Sequence, residues 1–185
     1  MTVRTELEFP LAGLLAESAG AIRRLELRDI TIPLDDEIAL GAPIRGGFDV
    51  SRTNRGLLVD GQLTTVLAMV CSRCLEPASV ALTARISEEV LPSIDFATGL
   101  VVDRAAEPDV ARLNDHHEFA FEPLLRDAIL LSAPIAPLCR PDCPGLCIEC
   151  GERLGGGHAA HEADDVDPRL AALRTFRVDG DAENE

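Results

Sequence analysis

Residues 56–77 read Gly-Leu-Leu-Val-Asp-Gly-Gln-Leu-Thr-Thr-Val-Leu-Ala-Met-Val-Cys-Ser-Arg-Cys-Leu-Glu-Pro. Apolar and β-branched side chains recur here with the two-residue period of a half-buried strand. Asp60-Gly61, set between two such runs, predicts a two-residue hairpin turn joining strands 56–59 and 62–70. Cys71-Ser72-Arg73-Cys74 then interrupts the pattern, and a further strand-like run occupies 78–90. The C-x-x-C pair is therefore expected at the tip of a hairpin.

Working outward, residues 22–32 alternate apolar and polar at Ile22, Leu25, Leu27 and Ile30, although Arg23 and Arg24 are adjacent. Residues 44–50 are a second candidate strand, with a kink or bulge expected at Gly46-Gly47. Three or four antiparallel strands in succession suggest a meander or a small barrel-like sheet. The stretch 11–19 is at best a short helix, broken by Gly13. Residues 92–118 carry Pro92, Gly99 and Pro108 and are expected to form a long loop. Residues 119–132 predict an amphipathic helix with Pro123 in its first turn. Its buried face is expected to hold Leu124, Leu125, Ala128, Ile129 and Leu131. Gly155-Gly156-Gly157 opens an acidic extension, with a short helix expected at 167–176 and a disordered tail at 178–185. The resulting expectation is an α+β fold: an antiparallel sheet or partial barrel, one main helix and a zinc-tied C-terminal segment. A single domain is expected over 1–154, with 155–185 as its extension.

Charge narrows the function classes. The 185 residues hold 32 acids against 17 cations, for a formal net charge of −15, and every cation is arginine. Trp and Tyr are absent. An unaided phosphate clamp and a base-stacking aromatic face are both disfavoured. No apolar run approaches the length of a membrane span, and the first twenty residues lack the basic head of a secretory signal. The chain therefore reads as cytoplasmic, where six cysteines point to metal ligands rather than disulfides. The acid is uneven. Residues 41–87 carry Arg45, Arg52, Arg55, Arg73 and Arg85 against Asp49, Asp60 and Glu76, so this segment is at +2 while the rest of the chain is at −17. Those five arginines are the candidate face toward RNA or a partner. The acidic groups Asp35-Asp36-Glu37 and Asp164, Asp165, Asp167 lack a neighbouring nucleophile or phosphate loop and read as solvated loop charge, as does His116-His117. No nucleotide-binding or hydrolase motif occurs.

The cysteines fall in two groups: Cys71 and Cys74, then Cys139, Cys143, Cys147 and Cys150. Two residues between cysteines let the backbone fold into a knuckle with both thiolates on one side, and two knuckles make a tetrahedral site suited to Zn²⁺. Cys71, Cys74, Cys147 and Cys150 form the neatest two-knuckle set, leaving Cys139 and Cys143 to pair with His158 and His161. A local site of Cys139, Cys143, Cys147 and Cys150 is the other partition, with Cys71 and Cys74 left as a second-site or reactive pair. An iron–sulfur cluster and a thiol redox pair at Cys71/Cys74 are the competing chemistries. A zinc-ribbon transcription factor is a further class, disfavoured by the acidic surface.

Three segments together resemble the YceD family: C-S-R-C-L-E-P at 71–77, C-R-P-D-C-P-G-L-C-I-E-C-G-E-R-L at 139–154, and D-P-R-L-A-A-L at 167–173. The resemblance implies a bacterial or plastid-type protein acting in the synthesis, processing or stability of large-subunit (23S) ribosomal RNA. It implies no catalytic activity. The implied partners are ribosomal RNA or pre-ribosomal particles, reached through basic ribosomal or processing proteins or through a small arginine face. It implies no membrane and no small-molecule substrate. Relatives often carry further Cys or His directly after the second cluster, where this chain has Gly155 to Gly157 before His158 and His161.

Overall fold

Strand-period burial organises the middle of the chain into long antiparallel strands. The computed structural model describes residues 7–36, 38–102, 105, 107–154, 158 and 169. In chain order the elements are β1 (Glu8–Pro10), α1 (Ala12–Leu15), β2 (Ile22–Ile30), β3 (Ala39–Arg52), β4 (Leu57–Val70), β5 (Pro77–Leu91), β6 (Ala111–Arg112), β7 (Glu118–Ala120) and α2 (Phe121–Ser132). Strands β2 to β5 form an antiparallel meander, and β6 adds parallel to β5. β1 and β7 make a separate antiparallel pair. The class is α+β, as expected, and the five-stranded sheet is mixed and open rather than closed into a barrel.

One face of the sheet is the core. Ile44, Phe48 and Val50 of β3, Leu57, Val59, Leu63 and Leu67 of β4, and Leu82, Ala84, Ile86 and Val90 of β5 are buried together. Helix α2 packs against β5 and contributes Phe121, Leu125 and Ile129. The Phe121 ring meets those of Phe119, Phe9 and Phe48, with centroids 4.9, 5.1 and 5.8 Å away, two of the three edge-on. Burying side chains of this size stabilises the fold by about 1.5–3 kcal/mol each before the entropy cost.

Four local expectations need correction. Asp60-Gly61 is not a turn; β4 runs through it without a break. Gly61 occupies a core-facing position opposite Phe48, where an added Cβ would lie 2.2 Å from the Gly47 carbonyl oxygen and 2.8 Å from the Phe48 ring. The glycine is there because the Phe48 ring fills the space of its missing side chain, not because the chain reverses. The reversals lie at 53–56, where the Thr53 N–H donates to the Gly56 carbonyl at 3.0 Å, and at 71–76. The irregularity in β3 falls between Leu40 and Arg45, while Gly46 and Gly47 pair regularly with Leu63 and Gln62. The 92–118 segment is more structured than a loop: it carries β6, a bridge between Ile94 and Val101, and a buried Ser93 whose hydroxyl donates to the Leu113 carbonyl at 2.6 Å. On α2, Leu131 points outward at 88% exposure, and Phe121, not expected there, takes the core place assigned to Leu131.

The chain falls into two compact units, Met1–Cys143 and Pro144–Glu185. The division precedes the second C-x-x-C, earlier than the glycine run from which the extension is expected. The glycine run itself, His161, the expected helix at 167–176 (Arg169 apart) and the tail at 178–185 lie outside the described residues.

Replacing Gly61 with Ala is expected to cost about 1–3 kcal/mol, because the backbone opposite cannot yield. Gly47 has nothing within 4 Å of an added Cβ, and Gly47→Ala should stay within about 0.5 kcal/mol. Urea unfolding of the two variants checks the contrast.

Candidate metal centre

The β4–β5 hairpin ends in a knuckle built by its own backbone. The Cys71 N–H donates to the Glu76 carbonyl at 2.8 Å, and the Leu75 N–H donates to the Cys71 carbonyl at 2.9 Å. Leu75 takes a left-handed conformation, φ +60°, to close this turn. The turn puts Cys71 and Cys74 on one side, at the hairpin tip anticipated from the sequence. Past α2, Pro134 and Pro137 carry the chain back toward that tip. The Ser72 N–H and hydroxyl both donate to the Pro137 carbonyl, at 2.8 and 3.1 Å. Arg73 Nη1 donates to the Cys143 carbonyl at 3.0 Å, and the Cys143 N–H donates to the Arg140 carbonyl at 3.1 Å.

These contacts deliver Cys139 and Cys143 to the knuckle. The sulfurs of Cys71 and Cys143 are 3.8 Å apart, those of Cys74 and Cys139 are 3.7 Å apart, and all four lie within 4.8 Å of one another. A tetrahedron with Zn–S at about 2.3 Å places its sulfurs about 3.8 Å apart, so the donor set fits a closed four-thiolate site. Cys71 and Cys143 are buried against Ala78 and Leu138, a small apolar cluster apart from the main core. None of the six cysteines is disulfide-bonded.

The backbone also prepares the ligands. The N–H of Cys139 foremost, then that of Cys74, points at the Cys71 sulfur and outweighs its burial, bringing this thiol down to about 6. Burial, followed by its sulfur neighbours Cys143, Cys74 and Cys71, pushes Cys139 up to about 12. Without a cation the cluster therefore holds charge at Cys71 and resists it at Cys139. A divalent ion removes that conflict, because metal ligation requires every thiol as thiolate.

The partition differs from both of those read from spacing. Cys147 and Cys150 form a second group with His158, whose Nε2 lies 3.0 Å from the Cys150 sulfur. Cysteine spacing favours joining like knuckles. The Ser72–Pro137 and Arg73–Cys143 contacts instead join the first knuckle to the C-x3-C loop, and no spacing rule reveals them.

The five arginines are placed differently. Arg45 pairs with Asp29 at 2.8 Å, and Arg55 pairs with Glu107 at 2.6 Å. Arg52 is held by the carbonyls of Leu15, Thr53 and Gly56, and Arg73 by that of Cys143. Arg85 has no ion pair or hydrogen bond among the described residues; it lines a shallow outer hollow with Gly47, Asp60 and Gln62.

The family model for the large ribosomal RNA subunit accumulation protein YceD matches residues 59–177. The chain belongs to the YceD family. The match spans all six cysteines. Uncharacterised proteins of Mycobacterium bovis and Mycobacterium tuberculosis are each 36% identical to this YceD-family chain over 137 residues, 72% of it and 61% of theirs. A maize relative, named large ribosomal RNA subunit accumulation protein YCED homolog 1, chloroplastic, is 26% identical over 176 residues, 75% of this chain and 60% of its own. The chain thus spans about three fifths of the length of these relatives. No solved structure matches it. No helix among the described residues is long and apolar enough to cross a membrane.

Two outcomes are expected. Leu75 is 64% exposed, so Leu75→Gly loses little apolar burial and relieves the left-handed backbone; it should raise stability by about 1 kcal/mol in thermal unfolding of the metal-loaded protein. In metal-stripped protein, the Cys71 thiol is depressed relative to the unfolded chain. Its contribution is present above the ordinary thiol range and is lost as pH falls toward about 6. Stability of the stripped protein should therefore rise from pH 6 to 9, and Cys71→Ser should flatten that rise.

Proposed function

We propose that this protein is a non-enzymatic ribosome-biogenesis factor needed for synthesis, processing or stability of 23S ribosomal RNA. In this reading the site of Cys71, Cys74, Cys139 and Cys143 holds structural Zn²⁺. The observation that carries the role is the family match over residues 59–177, under a description that names accumulation of large ribosomal subunit RNA. The plant relatives bear the same description. The zinc assignment is supported by the near-tetrahedral sulfur spacing and by the burial of two ligands.

The chemistry of the site supports a structural role. A closed four-cysteine site leaves no coordination position for substrate or water. Cys71 is buried and in contact with Cys143 on a distant segment, which weighs against an exchanging Cys71/Cys74 redox pair at an exposed helix terminus. A zinc ion with four thiolates carries a net −2. The N–H groups aimed at Cys71 offset part of this charge, and Arg73 beside Cys143 offsets more.

The route to RNA follows from charge. At −15 the protein repels bare phosphate, and Arg45, Arg52, Arg55 and Arg73 are engaged within the fold. Contact through basic ribosomal or processing proteins in the cytoplasm accounts for both facts. Exposed Arg85 is the residue of the five most able to add a direct contact.

Depleting the protein in its host should lower mature 23S RNA relative to small-subunit RNA on a quantitative blot. Wild type should restore it, and Cys71→Ser/Cys143→Ser should fail to do so. Normal levels of precursor and mature 23S RNA after depletion would contradict the role.

A further inference from the structure

We propose that Cys147, Cys150 and His158 form a second, independent zinc site that exchanges its ion faster than the four-cysteine site. The three donor atoms lie within 4.8 Å of one another, and all belong to the second compact unit.

The first support is backbone geometry. The Cys147 N–H donates to the Glu152 carbonyl at 2.7 Å, and the Gly151 N–H donates to the Cys147 carbonyl at 2.9 Å. The same two bonds, at the same offsets, shape residues 71–76 around Cys71 and Cys74. The residue after the second cysteine is left-handed in both turns: Leu75 at φ +60° and Gly151 at +74°. Segment 147–152 is thus a metal knuckle in its own right, with glycine where the left-handed turn calls for it.

The second support is what holds the segment together. A bridge between Leu146 and Arg153 and a bond from the Leu154 N–H to the Gly145 carbonyl close a small hairpin over the knuckle. Yet Ile148 is fully exposed and Leu154 is 45% exposed. Among the described residues of this unit no apolar side chain is buried. A short turn whose described apolar side chains are not buried is one that bonds to an ion can organise.

His158 supplies the third donor. Its Nε2 lies 3.0 Å from the Cys150 sulfur, and tetrahedral coordination opens such a sulfur–nitrogen pair to about 3.6 Å. A shift of this size lies within the reach of an exposed cysteine and a half-buried histidine. The described residues thus supply three ligands, two sulfurs and one nitrogen, which favours Zn²⁺ over hard cations. None of Cys147, Cys150 and His158 is buried, whereas the other site has four sulfurs, of which Cys71 and Cys143 are buried, Cys74 is half-buried and Cys139 is exposed. Water and competing ligands reach the second ion, and the described residues leave one coordination position for them. With one donor fewer and no buried sulfur, the second site is the faster of the two to exchange its ion.

The test is zinc release from the full chain into an excess of chromogenic chelator, with total metal measured in parallel. Wild type should carry about two zinc ions per chain, releasing about one quickly and the other slowly. His158→Ala and Cys150→Ser should each lose the fast equivalent, keep the slow one and retain the far-ultraviolet circular dichroism of the sheet. Cys143→Ser should lose the slow equivalent and keep the fast one, which separates failure of this site from failure of the four-cysteine site. A wild-type protein with a single zinc, release in one phase, or a His158→Ala variant that keeps its fast equivalent would overturn the proposal.

Discussion

Four sulfurs at the tip of one hairpin are the constraint around which the first unit closes. Cys71 and Cys74 sit where β4 gives way to β5, and Cys139 and Cys143 arrive from beyond the only long helix among the described residues. At 3.7–3.8 Å the paired sulfurs are too far apart to be bonded and too close for both to carry charge without a cation. An ion held among them would tie the segment after α2 to the sheet. Because α2 lies between β7 and the cysteine cluster, the same tie would hold the helix over the core. The loop closed from Cys74 to Cys139 is long, the case in which a cross-link restricts the unfolded chain most.

The main core and the metal site divide the work. Phe48, Phe121 and the alternating aliphatics of β3 to β5 bury enough surface to form the sheet and seat α2. The cluster of Cys71, Ala78 and Cys143 is separate and small. It does not add much hydrophobic stabilisation; it fixes where residues 133–143 run. That separation is in keeping with the non-enzymatic role proposed above.

The alternation at 57–70 and 78–90 and the C-x-x-C between them made the meander and the location of the first knuckle legible in the sequence. The class and the main helix followed from the same patterning. Asp60-Gly61 misled because a glycine excluded by a cross-strand aromatic ring looks the same, in one dimension, as a glycine in a tight turn. Leu131 misled because the helical face is set by Phe121, which the pattern assigns no more strongly than its neighbours. The six cysteines and His158 were visible as candidate ligands, but their grouping was not. It depends on Ser72 reaching the Pro137 carbonyl and Arg73 reaching the Cys143 carbonyl, contacts across more than sixty residues of chain. The family relationship was legible from the three motif segments and is independent of that division.

The central claim is the division itself: that Cys71, Cys74, Cys139 and Cys143 bind one ion together. The most direct measurement is cadmium-113 magnetic resonance of the cadmium-loaded full chain, tracing couplings from the metal nucleus to cysteine β-protons. The account predicts a resonance with an all-sulfur shift that couples to the β-protons of these four residues and to no others. Coupling of that resonance to Cys147 or Cys150 would contradict it.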